Sequence, residues 1–218
     1  KIFLPRAFSA ENHLEEISGI YVPFWLYSCE SNGSFSFDAT RTHHYTDGDY
    51  DVTETEHYLV LRDGEARFNN IPVDGSSKMD DAYMDAIEPF DYSAITDFHT
   101  DYLPGYAAQT YDEDATACAP RATARVKNTT IAAIRRTCDY TTLTPRTSKI
   151  STTQNSVDYA LLPVWMLTTN WHGKSYHFAI NGQTGKLIGD LPIDNGRFFS
   201  LLAGITIPLG ILLKLFIF

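Results

Sequence analysis

The chain has 218 residues, of which 44% are hydrophobic, 13% aromatic and 20% charged, with a net charge of −10 at pH 7. That composition excludes a disordered chain, and 27 acidic against 17 basic side chains argue against a surface that holds nucleic-acid phosphates. The three cysteines, Cys29, Cys118 and Cys138, form no Cys-x-x-Cys pair, which excludes a zinc ribbon or a thioredoxin-type motif in this stretch.

The chain begins with Lys1, and Lys1–Pro5 is too short for the apolar region of a signal peptide, so the sequence reads as a piece of a longer polypeptide. Ser9–Ile17 predicts a short helix capped by Ser9 and ended by Gly19. Ile20–Tyr27 is an apolar run of strand formers. Asn32-Gly33, Asp47-Gly48 and Asp63-Gly64 are turn signals, so residues 20–73 predict an antiparallel meander of four strands. Ser76-Ser77 then caps a helix over Lys78–Ile87, with Met79, Tyr83, Met84 and Ile87 on one face and Glu88-Pro89 as the stop. Residues 90–110 read as irregular or only briefly helical. A second helix runs over about 120–138 with Pro120 in its first turn. Val126, Ile131, Ala133 and Ile134 form its apolar stripe, and Arg121, Arg125, Lys127, Arg135 and Arg136 its polar side. Threonine-rich strands follow over 140–155, then a hairpin set over Tyr159–Leu191.

The last 21 residues, Phe198–Phe218, carry one charge, Lys214. At about 1.5 Å per helical residue they reach about 30 Å, the thickness of a bilayer's hydrocarbon core. The segment has no polar face at a 3.6-residue period, and Lys214 lies close enough to one end to snorkel. The expected organisation is a soluble α+β domain over 1–196 and a transmembrane helix over 197–218. Residues 1–197, up to the start of the apolar stretch, have 16 basic and 27 acidic side chains, a net charge of −11.

Ile20-Tyr-Val-Pro23-Phe-Trp25-Leu is echoed by Ala160-Leu-Leu-Pro163-Val-Trp165-Met, with Gly33 and Gly173 each ten residues after the proline. Both copies read strand, turn, aromatic strand. The echo predicts two related β-units over 20–40 and 160–180, with Trp25 and Trp165 as core anchors and Pro23 and Pro163 at strand edges or bulges.

The densest set of metal-ligand types is His43, His44 and His57, beside Asp47, Asp49 and Asp51. Alternation along a strand lets only one of His43 and His44 join His57. Asp47–Asp51 opens like a calcium loop, yet Val52 replaces the turn glycine and Tyr58 the bidentate glutamate, so an EF-hand is excluded. Asp74–Asp81 is a helix-capping loop without P-loop spacing. No nucleophile-elbow, zinc-protease or dinucleotide-binding motif occurs in the sequence.

Asn181-Gly-Gln-Thr-Gly-Lys186 and the strand after it resemble the end of the PepSY module, a small secreted or membrane-linked binding domain. Ile20–Trp25, Val73–Asp81, Ile87–Tyr92, Leu162–Trp165 and Asn181–Lys186 together resemble a bacterial family labelled as membrane proteins with a transcription-factor-IIB-type zinc ribbon. The resemblance implies a cytoplasmic domain with membrane helices after it and a cysteine-rich, zinc-holding ribbon before it; this stretch lacks the ribbon.

These readings converge on a membrane-tethered, non-enzymatic interaction or scaffold domain. It has no catalytic or cofactor-binding residues of its own, a bilayer contact through 198–218, a protein partner, and reduced thiols. Two alternatives stand beside it. One is an extracytoplasmic PepSY-like ligand-binding module, for which a Cys118–Cys138 disulfide is the natural companion. The other is a metal-dependent enzyme using His43, His44 and His57.

Overall fold

A computed structural model of the protein describes residues 14–191 and 194–217. It is α+β, with one curled antiparallel sheet and three α-helices. Three strands are unusually long: β1 (Leu14–Asp47), β2 (Tyr50–Asp74) and β4 (Thr142–Trp171). The short strands are β3 (Tyr106–Ala108), β5 (Lys174–Asn181) and β6 (Leu187–Gly189). The order is β2-β1-β4-β5-β6, and β3 pairs in parallel with residues 19–21 of β1, where β2 has ended.

The predicted four-strand meander over 20–73 is instead a single hairpin. Asp47-Gly48 does turn, with Gly48 at φ 62°. Asn32-Gly33 and Asp63-Gly64 do not, and Gly33 lies directly opposite Gly64 in the ladder. Both glycines serve close packing. A Cβ on Gly33 would lie 2.6 Å from the Lys149 carbonyl oxygen, and one on Gly64 would overlap the Ile134 side chain. Gly173 does make its predicted turn, with His172 at φ 51° and Gly173 at φ 75°, the two positive angles of a tight hairpin. The helix predicted over 9–17 is overturned where it is described: Leu14–Ile17 are strand, drawn into β1 by pairing with 167–169. Residues 9–13 lie outside the described residues.

Helix α1 (Asp81–Ala86) starts later than predicted. Its cap is Asp80, which accepts from the Ala82 and Tyr83 amides. Ser77 is occupied elsewhere, donating its amide and hydroxyl to the Asp112 carboxylate at 2.7 and 2.6 Å. Helix α2 (Ala115–Arg136) starts earlier than predicted, capped by Asp114, so Pro120 sits inside it. Its buried side is Cys118, Ala122, Val126 and Thr130; Ala133 is exposed.

Strand alternation assigns the layers. Val22, Phe24 and Leu26 of β1, with Ala160, Leu162 and Val164 of β4, face Met84 of α1, its C-cap Ile87 and Phe90. Trp25 and Tyr27, on the opposite face, pack with Cys118, Ala122 and Val126 of α2. Farther along that face Phe35, Phe37 and Ala39 meet Ile131 and Ile134. Arg121 and Arg125 reach from α2 to the α1 side. Arg121 pairs with Asp74 and Asp81 at 2.9 Å each, and Arg125 with Asp85 at 3.2 Å and Glu88 at 2.7 Å.

The sequence echo is a geometric relation. Val22 pairs with Leu162, Tyr21 with Pro163, and Pro23 with Leu161, so a local two-fold axis through the Val22–Leu162 pair superposes the two Pro-x-Trp motifs. The relation extends to the flanking strands. Asp74 pairs with Phe24 and Asn181 with Val164, the residue equivalent to Phe24. The Gly75 amide donates to the Pro23 carbonyl at 2.9 Å, and the Gly182 amide to the Pro163 carbonyl at 2.8 Å.

Helix α3 (Asn195–Ile217) closes the described chain. Its stretch Asn195–Lys214 has a mean hydropathy of 1.7 and none of it is buried; it is long and apolar enough to cross a membrane.

Candidate binding cleft

Where β1 and β4 cross the two-fold axis, the side chains opposite α1 are Tyr21, Pro23 and Trp25 on β1 and Pro163, Leu161 and Tyr159 on β4. Helix α2 begins farther along this face, its first turn held by the Tyr27 hydroxyl, which donates to the Ala115 carbonyl at 2.5 Å. Tyr21, Tyr159, Leu161 and Pro163 are therefore left accessible, while Pro23 is buried. Residues 106–111 pass along the margin of this region and fold one ring over each end. Tyr106 packs on Tyr21 and Trp165, with centroids 4.9 and 5.0 Å away. Tyr111 packs on Trp25 and Tyr159 at 5.0 and 5.7 Å. The segment is pinned by the Gln109 amide donating to the Tyr21 carbonyl at 3.0 Å and by the Trp25 indole donating to the Glu113 carbonyl at 2.9 Å.

Between these aromatic ends lies a cavity of about 1140 Å³. Tyr21, Leu161, Pro163 and Tyr159 line it from the sheet, and Phe98 and Tyr102 from the 94–102 loop. Phe98, Tyr102 and Tyr159 are 53%, 48% and 45% exposed, and Ile95 on the same loop is 45% exposed. Asp97 also lines the cavity, and among the described residues no lysine or arginine does. Burial, with Tyr111 adding to it, pushes the Tyr159 phenol above its ordinary range, so the ring stays neutral at physiological pH. The loop is anchored at its start, where the Gln183 side chain accepts from the Asp91 amide at 2.7 Å.

On the α1 side, Asn181 is fully buried and bonded on all sides. Its Nδ2 donates to the Ile87 and Pro89 carbonyls at 3.0 Å each, and its Oδ1 accepts from the Gln183 and Thr184 amides at 2.9 Å each. Its counterpart across the axis, Asp74, meets Arg121 through Oδ1, while Oδ2 is buried with no partner. Burial pushes the Asp74 carboxyl above the usual range, partly offset by Arg121. Glu88 is raised for the same reason, partly offset by Arg125.

The histidines named from the sequence do not converge. His57 pairs with Thr40, so it shares a face with His44, four residues along β1 and about 13 Å away; His43 points to the other face. The β4 pairing ends at Thr40, so both β1 histidines sit on a two-stranded ribbon. There the His44 Nδ1 lies 2.9 Å from the Thr53 hydroxyl. Among the described residues no group of three His, Cys, Asp or Glu could hold a metal ion. Trp25 and Trp165 are only half-buried, packed against Tyr111 and Tyr106; the fully buried side chains include Phe24, Tyr27, Phe37 and Leu162. Neither Pro23 nor Pro163 lies at a bulge; Pro163 lines the cavity and Pro23 is buried. Cys118 lies in the first turn of α2 and Cys138 two residues past its end, about 30 Å away along the helix, too far for a disulfide.

The cleft was not anticipated. Its signal was the alternation Tyr21-x-Pro23-x-Trp25 and Tyr159-x-Leu161-x-Pro163-x-Trp165, aromatic and proline residues on the strand face that a core does not need.

The fold is thus an α+β domain with an open aromatic cleft, followed by a helix able to cross a membrane. The chain is similar to YdjG of Bacillus subtilis (strain 168), an uncharacterized protein, with 37% identity over 215 residues that cover 98% of this chain. The match covers 63% of YdjG, so the chain spans less than two-thirds of that relative. No family model matches the chain, and no solved structure matches it.

Proposed function

We propose that this is a membrane-tethered interaction domain that binds a partner in the cleft at the two-fold axis. The observation that carries the reading is the pairing of an apolar helix, none of it buried against the domain, with a concave aromatic surface about half exposed to water. Exposed apolar surface of this kind marks a binding site more often than a structural accident. The three free cysteines favour a domain on the cytoplasmic side, where thiols stay reduced. More than a third of YdjG lies outside the match, length enough for a preceding zinc ribbon of the kind the sequence resemblance implies.

The test is membrane fractionation of the full chain and of a chain ending at Asp194. The full chain should stay with membranes through an alkaline carbonate wash and leave only with detergent. The shortened chain should be soluble and unfold cooperatively. A full chain released by the wash, or a shortened chain that no longer unfolds cooperatively, would refute the tether. Protease digestion in intact cells reads the side: protection until lysis supports the cytoplasm, and cleavage in intact cells places the domain outside.

A further inference from the structure

We propose that the cavity beside β4 receives an extended segment of a partner protein as an added strand, apolar at alternate positions and basic at its ends. This deepens the interaction-domain reading and rests on it. The first argument is position. Residues 159–163 all line the cavity, although alternate residues of a strand point to opposite faces. The two sets meet only along the strand's edge, so the cavity runs along that edge. β5 pairs only with residues 164–171 of β4. Among the described residues no strand pairs with 157–163 on the side away from β1.

The second argument is backbone supply. The Gly182 amide donates to the Pro163 carbonyl, so residue 163 turns its backbone away from β1. No register shift falls between 157 and 163, and hydrogen-bonding direction alternates along an antiparallel strand. Leu161 and Tyr159 therefore turn their N–H and C=O groups into the cavity, and Val157 turns its own the same way. An added strand would take up the rungs that follow where β5 leaves the ladder, over about 20 Å of edge. A ligand that made no ladder bonds would strip water from these groups and leave them unpaired, which is unfavourable. Farther along, the edge of β4 is blunted by Pro145, Arg146 and Lys149 and by register shifts opposite Ser36–Phe37 and Ser28–Cys29. Residues 157–163 have no shift and no basic side chain, the kind of edge that pairs with another chain.

The third argument is side-chain chemistry. Ladder pairing puts the segment's residues opposite Tyr159 and Leu161 on the face that Tyr21 shares, where apolar side chains are favoured. Asp97 lines the cavity, Asp101 stands in the next turn, and among the described residues no lysine or arginine lines it. With a net charge of −11 over residues 1–197, basic ends are favoured, and a second copy of this equally acidic chain is repelled.

The test uses the full chain in detergent micelles and a fluorescein-labelled peptide that alternates valine with threonine between paired arginines, read by anisotropy. Saturable binding is expected. N-methylation of the valine amides, which face β4, should weaken it at least about tenfold, and N-methylation of the threonine amides, which face water, by about twofold or less. Leu161→Pro removes one donor at an edge that already carries Pro163, and should weaken binding at least about threefold. Tyr102→Ala should weaken it by about two- to tenfold. Unfolding midpoints are tracked for both variants, and the methylated peptides need no variant. Amide hydrogen exchange gives a second readout. In the free chain the Tyr159 and Leu161 amides should exchange faster than those of Ala160 and Leu162, which face β1, and should slow at least about tenfold at saturation. Absence of saturation at millimolar peptide, or equal loss with both methylated peptides, overturns the assignment. So do Tyr159 and Leu161 amides already slow in the free chain, which would mean that a segment of the same chain fills the edge. Concentration-dependent dimerisation abolished by Leu161→Pro would put a second copy there and overturn it too. If membrane retention survives while peptide binding fails, the strand-addition assignment alone falls; if retention fails, the tether falls.

Discussion

Replacing Asn181 probes how the end of β5 is locked to the α1 side. The residue is fully buried and makes four hydrogen bonds, two to the Ile87 and Pro89 carbonyls and two from the Gln183 and Thr184 amides. A buried hydrogen bond contributes about 1 kcal/mol net, and a buried group left without a partner costs about 1–3 kcal/mol. Asn181→Ala removes all four bonds, and water replaces some on the more open turn side, so the expected loss is about 3–5 kcal/mol. For a chain of this size that lowers Tm by about 2–4 °C per kcal/mol. Asn181→Asp is nearly the same shape but aims a carboxylate at two carbonyl oxygens, so its folded pKa should rise. A raised pKa favours the protonated form in the fold. Relative to wild type, the Asp variant should be least impaired below the ordinary carboxylate range and should lose stability as pH rises through its folded pKa. The assay is urea unfolding of the full chain in detergent, followed by tryptophan fluorescence from pH 4 to 8. A loss below about 1 kcal/mol for the alanine variant, or an aspartate variant whose deficit does not change with pH, would refute the reasoning.

Gly64→Val should cost about 1–3 kcal/mol by overpacking against Ile134, and adding Ile134→Ala should recover part of the loss; denaturation of the single and double variants reads it. Burial raises the folded pKa of Asp74 and Glu88, so the stability they contribute is full below the usual carboxylate range and falls as pH rises through their folded values. Asp74→Asn and Glu88→Gln should each flatten that slope in pH-dependent unfolding. Asp112 titrates the other way: the Ser77 hydrogen bonds hold it below the ordinary range, so its contribution is lost as pH falls through its folded pKa, and Asp112→Asn should remove that acid-side loss. Thiol titration should label Cys138 first. Cys29 and Cys118 are buried, and burial pushes the Cys118 thiol up to about 11, so both should react fully only on unfolding.

Local pattern made several elements legible. Met84 of α1, its C-cap Ile87 and Val126 of α2 follow the helical spacing read from the sequence and are buried, whereas Ile131 and Ile134 of the expected α2 stripe are half-buried and Ala133 is exposed. The internal echo was visible at Pro and Trp. Its glycines did not correspond, since Gly33 lies in a continuous strand and Gly173 in a turn, and its other half was not visible. Val73-Asp74-Gly75 and Ile180-Asn181-Gly182 are equivalent across the axis, yet they stand 107 residues apart in sequence while the Pro-x-Trp motifs stand 140 apart. The connecting hairpins differ in length, so comparison at one offset finds one half and misses the other.

The sequence by itself determined the α+β class, the apolar C-terminal helix and the two amphipathic helices, because each rests on a period or a length that neighbours along the chain supply. Only the tertiary structure decided that Gly33 and Gly64 sit in continuous strands, because the pressure came from Lys149 and Ile134, far away in sequence. It also separated His43 from His57 and opened the cleft. Which strand face a helix covers depends on where α2 begins along β1, and no local residue pattern encodes that distance.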